Sequence, residues 1–161
     1  MASSSTTGSI KDKLEALGLT IPDAPKPLAA YVGYVRHGDL VYVSGQLPMK
    51  DGQLQQTGLL GADVTIDQGR DAAQLCAINI LAQVKAACDG DIEKISQCIR
   101  LGGFVASTSD FYDHPQVING ASEFIGEVLG ARGAHCRAAV GVAALPLNAS
   151  VEIEATFAIS R

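Results

Sequence analysis

The chain has 161 residues and a mass of 16.7 kDa, which fits one domain able to bury a core without disulfide staples. Hydrophobic residues make up 47% and charged residues only 18%, which excludes wholesale disorder and predicts that part of the surface is buried against other subunits. A net charge of −5, with aromatics at 5% and no Trp, excludes a basic or base-stacking platform, so no nucleic-acid partner is expected.

Residues 1–8 are rich in Ser and Thr and read as a frayed start without the apolar segment of a secretory signal. Ser9 and Asp12 then have the spacing of a capping box, which predicts a short helix over 10–17 stopped by Gly18. Pro22, Pro25 and Pro27 exclude helix and predict an extended linker. Residues 1–26 thus read as an N-terminal extension, and 27–161 as the domain proper. Two β-branched and aromatic runs, 31–36 and 40–44, flank His37-Gly38-Asp39 and predict a hairpin. Lys50-Asp51-Gly52-Gln53 is a further turn.

Residues 65–88 carry the longest helical pattern. Thr65 and Gln68 supply the cap, and Cys76, Ile80, Leu81, Val84 and Cys88 form one apolar stripe. Residues 99–105 read as a strand in which Gly102-Gly103 marks a bulge or a close approach. Pro115 opens a second helix over 116–129, ended by Gly130. Two last strands, 136–142 and 150–159, joined through Leu145-Pro146-Leu147-Asn148, are expected to pair as a hairpin. The order β-β-α-β-α-β-β defines an α+β domain with two helices packed on one face of a sheet.

No apolar run approaches the roughly 20 residues of a membrane span, so no membrane partner is expected and the expected location is the cytoplasm. Cys76, Cys88, Cys98 and Cys136 form no C-x-x-C pair and are expected as free, buried thiols. Cys136 beside Arg137 could be an activated thiol, but alternation puts it on the apolar face, where an inert thiol is expected. His37, His114 and His135 are scattered, and adjacent residues His135 and Cys136 point to opposite faces of a strand, so no metal site is expected. Phosphate-loop, dinucleotide and nucleophile-elbow motifs are absent.

The last two strands are the most informative. Val151, Ile153, Ala155, Phe157 and Ile159 alternate with Glu152, Glu154 and Thr156; Cys136, Ala138, Val140 and Val142 alternate with Arg137, Ala139 and Gly141. Taking the apolar sets as the face under the helices leaves Arg137, Glu152 and Glu154 together on the other face among very small residues. That pattern fits a small-ligand pocket in which a planar guanidinium holds a carboxylate. It equally fits a solvated sheet face with an Arg–Glu pair.

These residues, with Tyr31, Tyr42-Val43-Ser44-Gly45-Gln46-Leu47-Pro48 and Val117-Ile118-Asn119-Gly120-Ala121, fall in the order and spacing of the Rid family (reactive intermediate imine deaminases, also called YjgF-like or L-PSP), which the chain resembles from about residue 27 to its end. The longer N-terminus and the 53–67 stretch resemble a larger subfamily. The resemblance implies a chorismate-mutase-like fold assembled as a homotrimer with intersubunit clefts. It implies cofactor-free hydrolysis of enamines or imines of 2-oxo acids to the keto acid and ammonia. The alternative within the family is a non-catalytic small-carboxylate-binding or chaperone-like protein. Arg137 matches the substrate-carboxylate ligand, and Glu152 the residue that orients or activates water. Tyr31, Ser44, Gly45, Asn119 and Ala139 match cleft-lining positions. The chain departs from the family pattern at His135-Cys136, where Pro-Ala is usual, and at Ala139, where Cys is frequent. The family's endoribonuclease label finds no support in an acidic chain without basic clusters.

Overall fold

A computed structural model describes residues 8–27 and 29–161. The frayed start, Gly8 apart, lies outside the described residues. Helix α1 spans Ile10–Ala16, and its capping box forms as predicted: the Ser9 hydroxyl accepts from the Asp12 N–H, and the Asp12 carboxylate accepts from the Ser9 N–H, each at 3.0 Å. Ile10 and Leu14 bury the inner stripe of this helix in the main core. Strands β1 (Tyr34–His37) and β2 (Leu40–Gln46) form the predicted hairpin, turned at Gly38 and Asp39, with Gly38 at φ 61°. A small second hairpin, β3 (Met49–Lys50) and β4 (Gln53–Leu54), turns at Asp51-Gly52, both with positive φ.

Helix α2 (Ile66–Ala87) begins at the Thr65–Gln68 capping box, worth about 1 kcal/mol. Strand β5 (Ile95–Ala106), helix α3 (His114–Leu129), strand β6 (Cys136–Val142) and strand β7 (Val151–Ile159) complete the chain. The elements of the domain thus follow the predicted order, with the predicted α1 ahead of them and the small hairpin added. Helices α2 and α3 cross closely: a Cβ on Gly120 would collide with the Arg70 carbonyl, and Gly69 lies against Val117. The close approach read at Gly102-Gly103 is real, because Ile118 of α3 presses onto Gly103 and the Glu154 side chain lies over Gly102.

Pairing departs from the expected C-terminal hairpin. The sheet order is β1-β2-β7-β5-β6, so β7 lies between β2 and β5 while β6 runs parallel to β5 at the edge. A strand–helix–strand unit through α3 returns the chain parallel to its start, and the link between β6 and β7 then crosses to the middle of the sheet.

The register also corrects the faces. Arg137, Leu101 and Ala155 share one row, as do Ala139, Gly103 and Ile153, and both rows lie under the helices. Cys136, Ala138 and Val140 face the other way, with Arg100, Gly102 and Phe104 of β5 and with Thr156, Glu154 and Glu152 of β7. Cys136 is therefore exposed, not buried; Cys76, Cys88 and Cys98 are buried as expected. On β6 the small residues mark the side where a helix presses down: a Cβ on Gly141 would strike the His114 ring. Apolarity alone misassigns such an edge strand.

Candidate functional site

Glu152 sits mid-sheet, next to a local irregularity. Val43 pairs with Ala155 and Gln46 with Ile153, so Ser44 and Gly45 together oppose Glu154 in a bulge. The bulge brings Gly45 beneath the Glu152 carboxylate, where any Cβ would collide with Oε1. Only glycine leaves this carboxylate its place. The Ser44 hydroxyl donates to the Val32 carbonyl at 2.6 Å, and its N–H donates to the Gly33 carbonyl at 3.0 Å. Ser44 thus fixes the segment that carries Tyr31. Tyr31, Gly45 and Glu152 line one cavity of about 860 Å³. Burial, and secondarily the nearby Glu154 carboxylate, raises the Glu152 pKa above its ordinary value. A carboxylate so placed takes up a proton more readily than a free one, as a base acting on water requires.

Arg137 lies on the opposite face. Its Nη1 donates to the Ser122 hydroxyl at 3.0 Å, and its Nη2 to the Pro115 carbonyl at 3.2 Å. Pro115, Asn119 and Ser122 follow one another at helical i, i+4, i+7 spacing, so Asn119 shares the α3 stripe that faces Arg137. His135 Nδ1 stands 2.6 Å from the Gly133 carbonyl, which can only accept, so this nitrogen carries the proton. In the neutral ring Nε2 then accepts from the Ser122 hydroxyl at 2.9 Å, leaving the Ser122 oxygen to receive Arg137. The guanidinium is oriented by neutral oxygens alone, and it forms no ion pair among the described residues. The Arg–Glu pair on the sheet is instead Arg100 with Glu154, at 3.2 Å.

The candidate residues therefore fall into two groups that one chain does not bring together: Tyr31, Ser44, Gly45 and Glu152, and Arg137, Asn119 and Ala139. Sequence reasoning missed Ser122, the Pro115 carbonyl and His135 as supports of Arg137. The spacing of Pro115, Asn119 and Ser122, and the i, i+2 relation of His135 to Arg137, could have pointed to them. No group of three or more His, Cys, Asp or Glu side chains suited to a metal occurs among the described residues. None of their helices is long and apolar enough to cross a membrane.

An α+β domain with a mixed five-stranded sheet and helices on one side, carrying a lone guanidinium and a half-buried carboxylate, defines the class. Residues 11–158 match the family described as "YjgF/chorismate_mutase-like, putative endoribonuclease", and the chain belongs to that family. It is 41% identical over 150 residues to Protein TCP17 of Trypanosoma cruzi, covering 92% of this chain and 93% of that one. It is 31% identical over 141 residues to a 2-iminobutanoate/2-iminopropanoate deaminase of Dermatophagoides farinae, covering 88% and 94%. Among solved structures, the protein Atu1372 of Agrobacterium tumefaciens, described as of unknown function, superposes with a TM-score of 0.88 at 54% identity, covering 94% of this chain and 92% of that one.

Proposed function

We propose that the protein hydrolyses enamines or imines of 2-oxo acids to the keto acid and ammonia, without a cofactor, in clefts formed between copies of the chain in a homotrimer. The observation that carries this reading is Arg137: a guanidinium held in place by Ser122 and Pro115 but paired with no carboxylate among the described residues. A half-buried guanidinium so arranged is completed by an anion. Glu152 lies across the sheet, so a single chain cannot offer both groups to one small ligand. A neighbouring copy can. A contact that joins one surface of the chain to a different surface of the next is heterologous, and with a threefold rotation such contacts close into a ring of three. The uncovered sheet face, where Val35, Tyr42 and Val140 are 53%, 48% and 45% exposed, offers the apolar area for it.

The chemistry then needs only positioning. Arg137 of one copy holds the substrate carboxylate, and Glu152 of its neighbour takes a proton from water. The water oxygen bonds to the imine carbon while the C=N π pair moves to nitrogen, giving a carbinolamine. Glu152 returns that proton to nitrogen, then takes the hydroxyl proton of the carbinolamine and passes it to the same nitrogen, so that the C–N bond breaks with ammonia as the leaving group while the C=O forms and Glu152 is left ionised. Orientation of acid and water supplies several kcal/mol of the acceleration, and proton transfer roughly a hundredfold or more.

The test is ammonia release from 2-iminopropanoate or 2-iminobutanoate generated in situ. Wild type should exceed buffer, and Arg137→Ala should lose roughly a hundredfold or more in kcat/KM, the worth of two charge-assisted hydrogen bonds. Buffer-level rates from both proteins contradict hydrolysis of these imines. Binding of 2-oxo acids with no turnover would instead identify a carboxylate-binding member of the family.

A further inference from the structure

The cavity beside Glu152 is much larger than a three-carbon imino acid fills. Its volume of about 860 Å³ lies near the top of the range that accommodates drug-sized ligands. Its inner walls are apolar and come from three parts of the chain: Leu75 and Ile78 of α2, Leu47 and Met49 beyond β2, and Leu19 and Pro25 of the N-terminal extension. Two amides on α2 set those walls. Asn79 Nδ2 donates to the Leu47 and Met49 carbonyls, each at 3.0 Å, and Gln83 Nε2 donates to the Pro25 carbonyl at 2.7 Å. Both amides are buried. They spend these donors on backbone, so the proline-rich segment is fastened across α2 and the cavity is preformed. Besides the half-buried Glu152, the charged lining residues, Asp23, Lys26, Lys50 and Asp51, are all exposed and of mixed sign, so this wet part of the lining favours neither charge.

We propose that this cavity receives the apolar side chain of the substrate, so that the preferred imines derive from 2-oxo acids with branched or aromatic side chains rather than from the three-carbon acid. The inference rests on the reading of Glu152 as the residue that activates water, since Glu152 and Gly45 belong to the same cavity. With the carboxylate and the imine carbon held near Glu152, a side chain longer than methyl extends away from the reacting atoms toward Ile78 and Met49. A preformed apolar wall rewards each added methylene by the water it displaces.

The experiment is calorimetric binding of the keto acids themselves to the whole protein: pyruvate, 2-oxobutanoate, 2-oxopentanoate and 4-methyl-2-oxopentanoate. Affinity should rise about fourfold per carbon, or roughly sixtyfold from the first to the last. Ile78→Phe narrows the cavity from α2, and Met49→Trp does so from the short β3 strand; each should flatten that rise. Equal affinity across the series, or no measurable binding of the longest acid, overturns the inference. Binding is read apart from turnover. A rise with chain length in a protein that hydrolyses no imine would sink the hydrolysis and leave the cavity's preference standing. Hydrolysis that ignores chain length would do the reverse.

Discussion

Beneath α2 and α3 the sheet presents Val43, Leu101, Ile153 and Ala155, all buried; on the other side the same sheet presents Val35, Tyr42, Thr156, Arg100 and Cys136, and no element of the described chain covers them. The covered side is filled mainly by side chains that only pack, with Arg137 at its β6 edge the polar exception. The open side carries exposed apolar residues, an ion pair and Glu152, yet too few charges for a face built to stay in water. The difference teaches that burial finishes the fold on one side and leaves apolar residues exposed on the other, where the proposed function seats a second copy. The two candidate groups follow the same division, with Arg137 under α3 and Glu152 across the sheet.

Substitutions on the two faces should separate these roles. Phe157→Ala, at a fully buried site on the central strand, should cost about 3–5 kcal/mol in denaturant unfolding. Tyr42→Asp on the open face should leave the isolated protomer within about 0.5 kcal/mol of wild type yet dissociate the assembly in sedimentation. If Tyr42→Asp leaves the mass unchanged, the open face is not the contact between copies.

A smaller effect concerns pH. Burial raises the Glu152 pKa from its ordinary 4.5, so the folded state favours the protonated carboxyl. Its contribution to stability is complete below the unfolded value near 4.5 and is lost as pH rises through the higher folded value. Hydrolysis runs the opposite way, because the base must be ionised: the rate climbs over the same window, which lies above that of a free carboxylate. Glu152→Gln should abolish both dependences, the first read by melting temperature and the second by the pH profile of ammonia release. A wild-type acid limb that survives in Glu152→Gln would assign the base elsewhere.

The mildest change should come from Ser122→Ala, which removes one neutral partner of Arg137 and costs about 1 kcal/mol of carboxylate binding. KM should rise several-fold with kcat nearly kept. A drop in kcat alone would place Ser122 in the chemistry rather than in holding the guanidinium.

Much of the fold was legible locally. The capping boxes at Ser9–Asp12 and Thr65–Gln68, the turns at Gly38 and Asp51-Gly52, and the alternation along β7 are each contained within a few residues, and each forms as the sequence implies. Strand pairing was not legible, because whether β6 meets β5 or β7 depends on a crossover through α3 that no short-range pattern encodes. The face of β6 was misread for a related reason: Ala139 and Gly141 look like a bare surface but are small because α3 lies over them. The partners of Arg137 lie 15 and 22 residues away in sequence, on a helix whose exposed pattern advertises no cation. The separation of Arg137 from Glu152 follows from register alone, and under the proposed function it puts the site at the boundary between two chains.

That boundary is tested most directly by mixing. Arg137→Ala and Glu152→Gln proteins, each inactive alone, should be unfolded together, refolded as mixed assemblies and assayed for imine hydrolysis. A site shared between neighbours predicts recovery to roughly a quarter of the wild-type rate, the share of interfaces in a randomly mixed ring that join the two intact side chains. Mixed assemblies that form but stay as inactive as either parent would contradict the shared site.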